Sequence, residues 1–170
     1  MAAGQSALLD VLRLAAWVVC VDFVIVGAVL ATVGWWLSNN YLRVASAVDA
    51  WEDEPMRRQE SVEWLYAFDV HCNAFFPLFL LLHVLQFLLL PLLLRPGLVA
   101  ALASNSLYAA ALSVYHYITF LGYNELPFLR SCEVFVYPIG AICAAYVCSL
   151  PFVWYAGLNC TEIVADVYFG

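Results

Sequence analysis

Lysine is missing altogether from this chain, and only 11% of the residues are charged, where soluble domains average about 25%. Six arginines stand against thirteen acids, for a formal net charge of -7. A nucleic-acid binder needs a basic stripe to neutralise phosphates, and the sequence has none, so RNA or DNA binding is not expected of this acidic chain. The six cysteines contain no C-x-x-C pair, which argues against a zinc ribbon or a dithiol redox site. Also missing are a G-x-S-x-G elbow, an H-E-x-x-H pair, a glycine-rich phosphate loop and histidines at ligand spacing. Asp69-Val70-His71-Cys72 has the letters of a catalytic relay, but neighbours on a helix point in different directions and cannot form one. The expectation is a protein that is not an enzyme and that has no catalytic, metal-binding or cofactor-binding residues.

What the chain does have is hydrocarbon. Of its 170 residues, 66% are hydrophobic and the mean hydropathy is +0.90. A bilayer crossing takes about 20 apolar residues. The runs fall at about 11–37, 70–94, 98–121 and 133–157, separated by a polar loop at 38–69, the breaker Arg95-Pro96-Gly97 and the stretch Gly122 to Cys132. These runs predict an all-α, multi-pass transmembrane helical bundle of four spans, a single domain over 1–170 embedded in the lipid bilayer. The loop carries the acidic run Glu52 to Glu54, Pro55 and Arg57-Arg58, and reads as an exposed, solvated segment.

Polar residues inside the runs are candidates for intramembrane packing: Asp22, His83, Gln86, Asn105, Tyr108 and His116. An acid near a helix centre costs about 2.5–3.5 kcal/mol on insertion scales, so Asp22 is expected to face protein or water, either as a packing contact or as a proton or ion site. Gly27, Ala31 and Gly34 offer a small-residue face for a second helix. On a wheel of the second run, Asp69, Asn73 and His83 fall within about 80° of one another while His71 points to the other side. This predicts a polar stripe facing the third run. About 21 Å along the helix separates Asp69 from His83, too far for one compact site. Counting outward from the breaker sets Asn73 level with Thr119, His83 beside Tyr108, and Gln86 beside Asn105. Pro77 should bend the second helix. Asn159-Cys160-Thr161 is an N-glycosylation sequon close to the last span.

Arginines near the span ends number four on the side of the two polar loops (Arg43, Arg57, Arg58, Arg130) and two on the other (Arg13, Arg95). The positive-inside rule then makes the loops cytosolic and both termini lumenal. A small transporter or ion-conducting protein using Asp22 and His116 is the alternative function.

The stretch from Val62 to His83, VEWLYAFDVHCNAFFPLFLLLH, then TFLGYNELPFL from Thr119 to Leu129 with Tyr137-Pro138 beyond, resembles the uncoordinated protein 50 family of small Golgi and nuclear-envelope membrane proteins. Cys20-Val21-Asp22 and WWLSNNYL from Trp35 to Leu42 resemble it too. The resemblance implies five spans in the family, of which this chain would begin just before the second. It implies a trafficking factor in the Golgi membrane or the nuclear inner membrane, supporting cell-surface delivery of nicotinic acetylcholine receptors and associating with a guanine-nucleotide exchange factor for Arf GTPases. The residues that match the motif, or that would meet such partners, are Glu63, Trp64, Asp69, His71, Asn73, Gly122, Tyr123, Glu125 and Pro127.

Overall fold

The computed structural model describes residues 2–43 and 60–169. The acidic run at 52–54, Pro55 and the Arg57-Arg58 pair, with the exposure expected of them, lie outside the described residues. Among the described residues, four helices are long and apolar enough to cross a membrane: α1 (Val11–Leu42), α2 (Trp64–Leu93), α3 (Leu98–Asn124) and α4 (Cys132–Ala156). At 1.5 Å per residue, each exceeds the hydrocarbon thickness of about 30 Å. A short fifth helix, α5 (Cys160–Phe169), follows. Among the described residues, extended pairing reduces to one antiparallel bridge between Arg43 and Leu129. The chain is an all-α multi-pass helical membrane protein.

α1 and α2 are not uniform α-helices. π-helical turns, with hydrogen bonds from residue i to i+5, interrupt α1 at Val18–Ile25 and Ser38–Leu42, and α2 at Leu80–Leu85. Pro77, which lacks an N–H, sits in α2 one turn before the last of these. Helix α2 begins at Trp64, inside the segment read from sequence as loop, and α1 carries on through Leu42. A tight turn follows α2, and Gly97 opens α3 at φ +140°, a conformation that favours glycine. Gly157, at φ +66°, ends α4 with its N–H donating to the Val153 carbonyl.

Small side chains face the neighbouring helices and large apolar ones face outward, the reverse of a soluble core. On α2, Ala67 and Ala74 are buried with Val70 and His71 at helical spacing, whereas Leu65 and Phe76 are 69% and 63% exposed. Lipid solvates large hydrocarbon groups as well as protein does, so close packing of small residues is what holds such helices together. Gly27, Ala31 and Gly34 form the matching face of α1. A buried apolar cluster lies where the C-terminal ends of α1 and α3 meet the N-terminal ends of α2 and α4. There Ala31, Leu42, Val62, Ala67, Val70, Leu129 and Cys132 surround a stacked pair, Tyr123 and Phe135, with ring centroids 4.2 Å apart and planes at 7°.

Candidate functional site

That end of the bundle is tied together by main-chain and amide hydrogen bonds. Asn39, in the π-turn closing α1, donates from Nδ2 to the Val62 carbonyl at 2.9 Å and accepts from the Val62 N–H at 3.0 Å. It thereby completes both backbone valences of a residue just ahead of α2. The Arg130 N–H donates to the Leu42 carbonyl at 2.7 Å, pinning the segment after α3 to the end of α1. Tyr66 donates to the Gly122 carbonyl at 2.6 Å, and the Trp64 indole donates to the Thr32 hydroxyl at 2.9 Å.

The motif residues named from sequence fall on this frame in different ways. Tyr123 is buried against Phe135, and Gly122 lies where a Cβ would meet Val70. Glu63, Trp64, Glu125 and Pro127 are exposed at the same end. Asp69 and Asn73 are exposed as well, and Asn73 donates back to the carbonyl and carboxylate of Asp69 on its own helix, at 3.0 and 3.3 Å.

This corrects the polar stripe expected on α2: Asp69 and Asn73 do not face α3, and His71 is the buried member of the group, 3% exposed. Its Nε2 lies 3.2 Å from the Phe23 carbonyl of α1 and its Nδ1 lies 2.9 Å from the Tyr115 hydroxyl of α3. A carbonyl can only accept, so Nε2 carries the proton and Nδ1 accepts from Tyr115. Both ring nitrogens are used, which leaves no free base and makes His71 a three-helix connector. Thr119, expected level with Asn73, instead donates within α3 to the Tyr115 carbonyl. The wheel grouped residues by polarity. The buried face is set by size, and Asp69, close to the helix start, is satisfied by its neighbour without turning inward.

A second polar group lies toward the opposite end of the bundle. Ser104 and Asn105 of α3 receive α5: Asn105 donates to the Leu158 carbonyl at 3.1 Å and accepts from the Cys160 N–H at 2.9 Å. Ser104 accepts from the Thr161 N–H and shares a hydrogen bond with its hydroxyl. Gln86 of α2 donates to the Tyr108 hydroxyl at 3.0 Å, across to α3 but not to Asn105, and to Thr161 at 3.4 Å. Asn159 is buried, donates to the Leu93 carbonyl at 2.8 Å and accepts from the Thr161 N–H. The sequon side chains are therefore consumed in packing. Ser104, Tyr115, Asn159, Thr161 and Tyr168 were not singled out as site residues from sequence. The adjacent polar pair Ser104-Asn105 within an apolar run was the available signal.

Among the described residues, two cavities stand out. One, of about 190 Å3, is lined by His71, Tyr115, His116 and Tyr123 between α1, α2, α3 and α4. The other, of about 350 Å3, is lined by Asp22, His83, Gln86 and Tyr108 together with α5. Asp22, half-buried, accepts from the Tyr168 hydroxyl at 3.0 Å. Asp22 and His116 thus line different cavities, and the structure does not bring them together for the shared role of the transport reading. Among the described residues, no three His, Cys, Asp or Glu side chains converge to hold a metal ion.

The sequence matches the family model described as the UNC-50 family over residues 1–169. It is 49% identical over 165 residues to "Protein unc-50 homolog" of Dictyostelium discoideum, covering 95% of this chain and 58% of that protein. It is 43% identical to "Protein unc-50" of Caenorhabditis elegans, covering 81% of this chain and 42% of the relative. With the human "Protein unc-50 homolog" the identity is 38%, over 94% of this chain and 56% of the relative. The chain thus spans less than two thirds of these relatives, none of which is named as an enzyme. No solved structure matches it. Family-model match and relatives agree: the chain belongs to the UNC-50 family.

Proposed function

We propose that the protein acts as a non-enzymatic trafficking factor of the Golgi membrane, with the nuclear inner membrane as a second location. It supports cell-surface delivery of nicotinic acetylcholine receptors and associates with a guanine-nucleotide exchange factor for Arf GTPases. The observation that carries the reading is the tied end of the bundle. Asn39 with Val62, and Leu42 with Arg130, fix Glu63, Trp64, Glu125 and Pro127 as an exposed polar rim on one rigid frame. A rim held by backbone hydrogen bonds loses little entropy on binding, which favours its use as a docking surface. Family membership supports a non-enzymatic role related to that of the unc-50 homologues.

The rim faces the cytosol in this reading. Arg43 and Arg130 stand at its end, in line with the positive-inside rule, and both termini of the chain then lie in the lumen. The test joins two measurements in cells lacking the full-length protein. Expression of the chain restores receptor at the cell surface, and the exchange factor is captured with it. Deleting Trp51 to Glu60 and substituting Glu63, Trp64 and Glu125 abolishes both. Capture that survives those changes removes the rim from the proposal, and absence of rescue by the intact chain removes the delivery role.

A further inference from the structure

The larger cavity plays no part in the reading above. Its volume of about 350 Å3 lies within the range of small-molecule sites, about 300–1,000 Å3. Leu14, Leu78 and Leu82 give it hydrocarbon walls, and Asp22 stands in the same lining. No arginine lines it and the chain has no lysine, so no obligate cation balances that carboxylate.

Acceptors in this lining outnumber the donors that meet them. A carboxylate offers about four lone-pair sites. The Tyr168 hydroxyl donates to one oxygen, Oδ2. Gln86, 7% exposed, has its Oε1 buried without a partner. Asp22 and His83 both sit in π-helical turns, which recur in helices at functional positions.

A ligand for such a site carries an apolar body and a head that donates several hydrogen bonds and a positive charge. An alcohol donates once and leaves the carboxylate charge uncompensated. A primary ammonium donates three times and cancels it. Phe87, 70% exposed in the lining, marks a lateral opening through which a molecule dissolved in lipid can enter. We propose that this cavity binds a membrane-dissolved long-chain primary amine, its ammonium on Asp22 and its tail along the leucine wall. Tyr168 positions the carboxylate.

The test uses the chain in phosphatidylcholine nanodiscs and a photoreactive, alkyne-tagged octadecylamine. Adducts are expected on α1, α2, α3 or α5 around the cavity. Unlabelled octadecylamine should compete at a concentration at least about tenfold below that of octadecanol, one decade being the change expected for a single charge-assisted contact. Asp22→Asn should cut labelling about tenfold or more, and Asp166→Asn, on the exposed side of α5, should not change it. Leu82→Trp, which fills the cavity and keeps Asp22, should abolish labelling and covers the case in which Asp22→Asn does not stay monodisperse. Equal competition by octadecanol, adducts elsewhere in the chain, or labelling unchanged by Leu82→Trp would overturn the proposal.

Discussion

The imidazole of His71 fills the space that a side chain at Gly27 would need, so α1 and α2 cross with a ring lying directly on backbone. A methyl group there meets Nε2 and Cδ2 of a ring that is hydrogen-bonded on both sides and cannot swing away. Gly27→Ala should therefore lower stability by about 1–3 kcal/mol, the range for overpacking. Gly140→Ala, with open space around its Cβ position, should stay within about 0.5 kcal/mol. Thermal unfolding followed by fluorescence-detected gel filtration reads both. In a His71→Ala background the Gly27→Ala penalty should disappear.

Tyr123 and Phe135 join the end of α3 to the turn that opens α4 by a near-parallel stack. Tyr123→Ala removes a fully buried ring and should cost about 3–5 kcal/mol. Tyr123→Phe keeps the stack and should cost less than about 1.5 kcal/mol, as volume-conserving changes do. Equal losses for the two variants would mean that the hydroxyl matters more than the ring.

Asn39 should be the lock on the segment ahead of α2. Its amide meets both backbone groups of Val62, so Asn39→Ala leaves a buried residue's N–H and carbonyl unpaired, a loss of about 1–3 kcal/mol. Hydrogen exchange at the Val62 amide should then speed up about tenfold or more. Unchanged exchange would mean that the rim is held by other bonds.

The sequon should stay unmodified, because the Asn159 amide is spent on Leu93 and Thr161. Endoglycosidase treatment of the protein from cells should leave its gel mobility unchanged. Asn159→Ala should cost about 1–3 kcal/mol and loosen α5, since the Leu93 carbonyl loses its amide donor. Raised protease sensitivity of α5, with the four long helices retained, is the expected signature.

The four long helices were legible because a bilayer demands long apolar runs, and nothing in a soluble fold imitates them. Which face of each helix meets protein was less legible. Hydrophobicity cannot tell inside from outside when the solvent is itself hydrocarbon. Residue size can: Ala67 and Ala74, with Val70 and His71 between them, trace the buried face of α2, and Gly27, Ala31 and Gly34 that of α1. Polarity misled at Asp69 and Asn73, which satisfy each other locally. The docking of α5 stayed hidden because most of its bonds to Ser104 and Asn105 use its backbone N–H and carbonyl groups, so the polar pair marks a partner without naming it.

The π-turns make the spacing of residues along α1 and α2 a matter of phase as much as of chemistry. Each accommodates one residue more than an α-turn would, so a single wheel cannot carry a face across it. Removing one residue from Leu80–Leu85 would restore a regular ladder and leave the flanks close to their present faces, whereas adding one there would rotate everything beyond by about 100° relative to Trp64–Phe79. Gln86 would leave Tyr108 and Thr161, and Leu93 would leave Asn159. A frame-preserving gain of one codon there would break more of the molecule than many substitutions of its largest side chains.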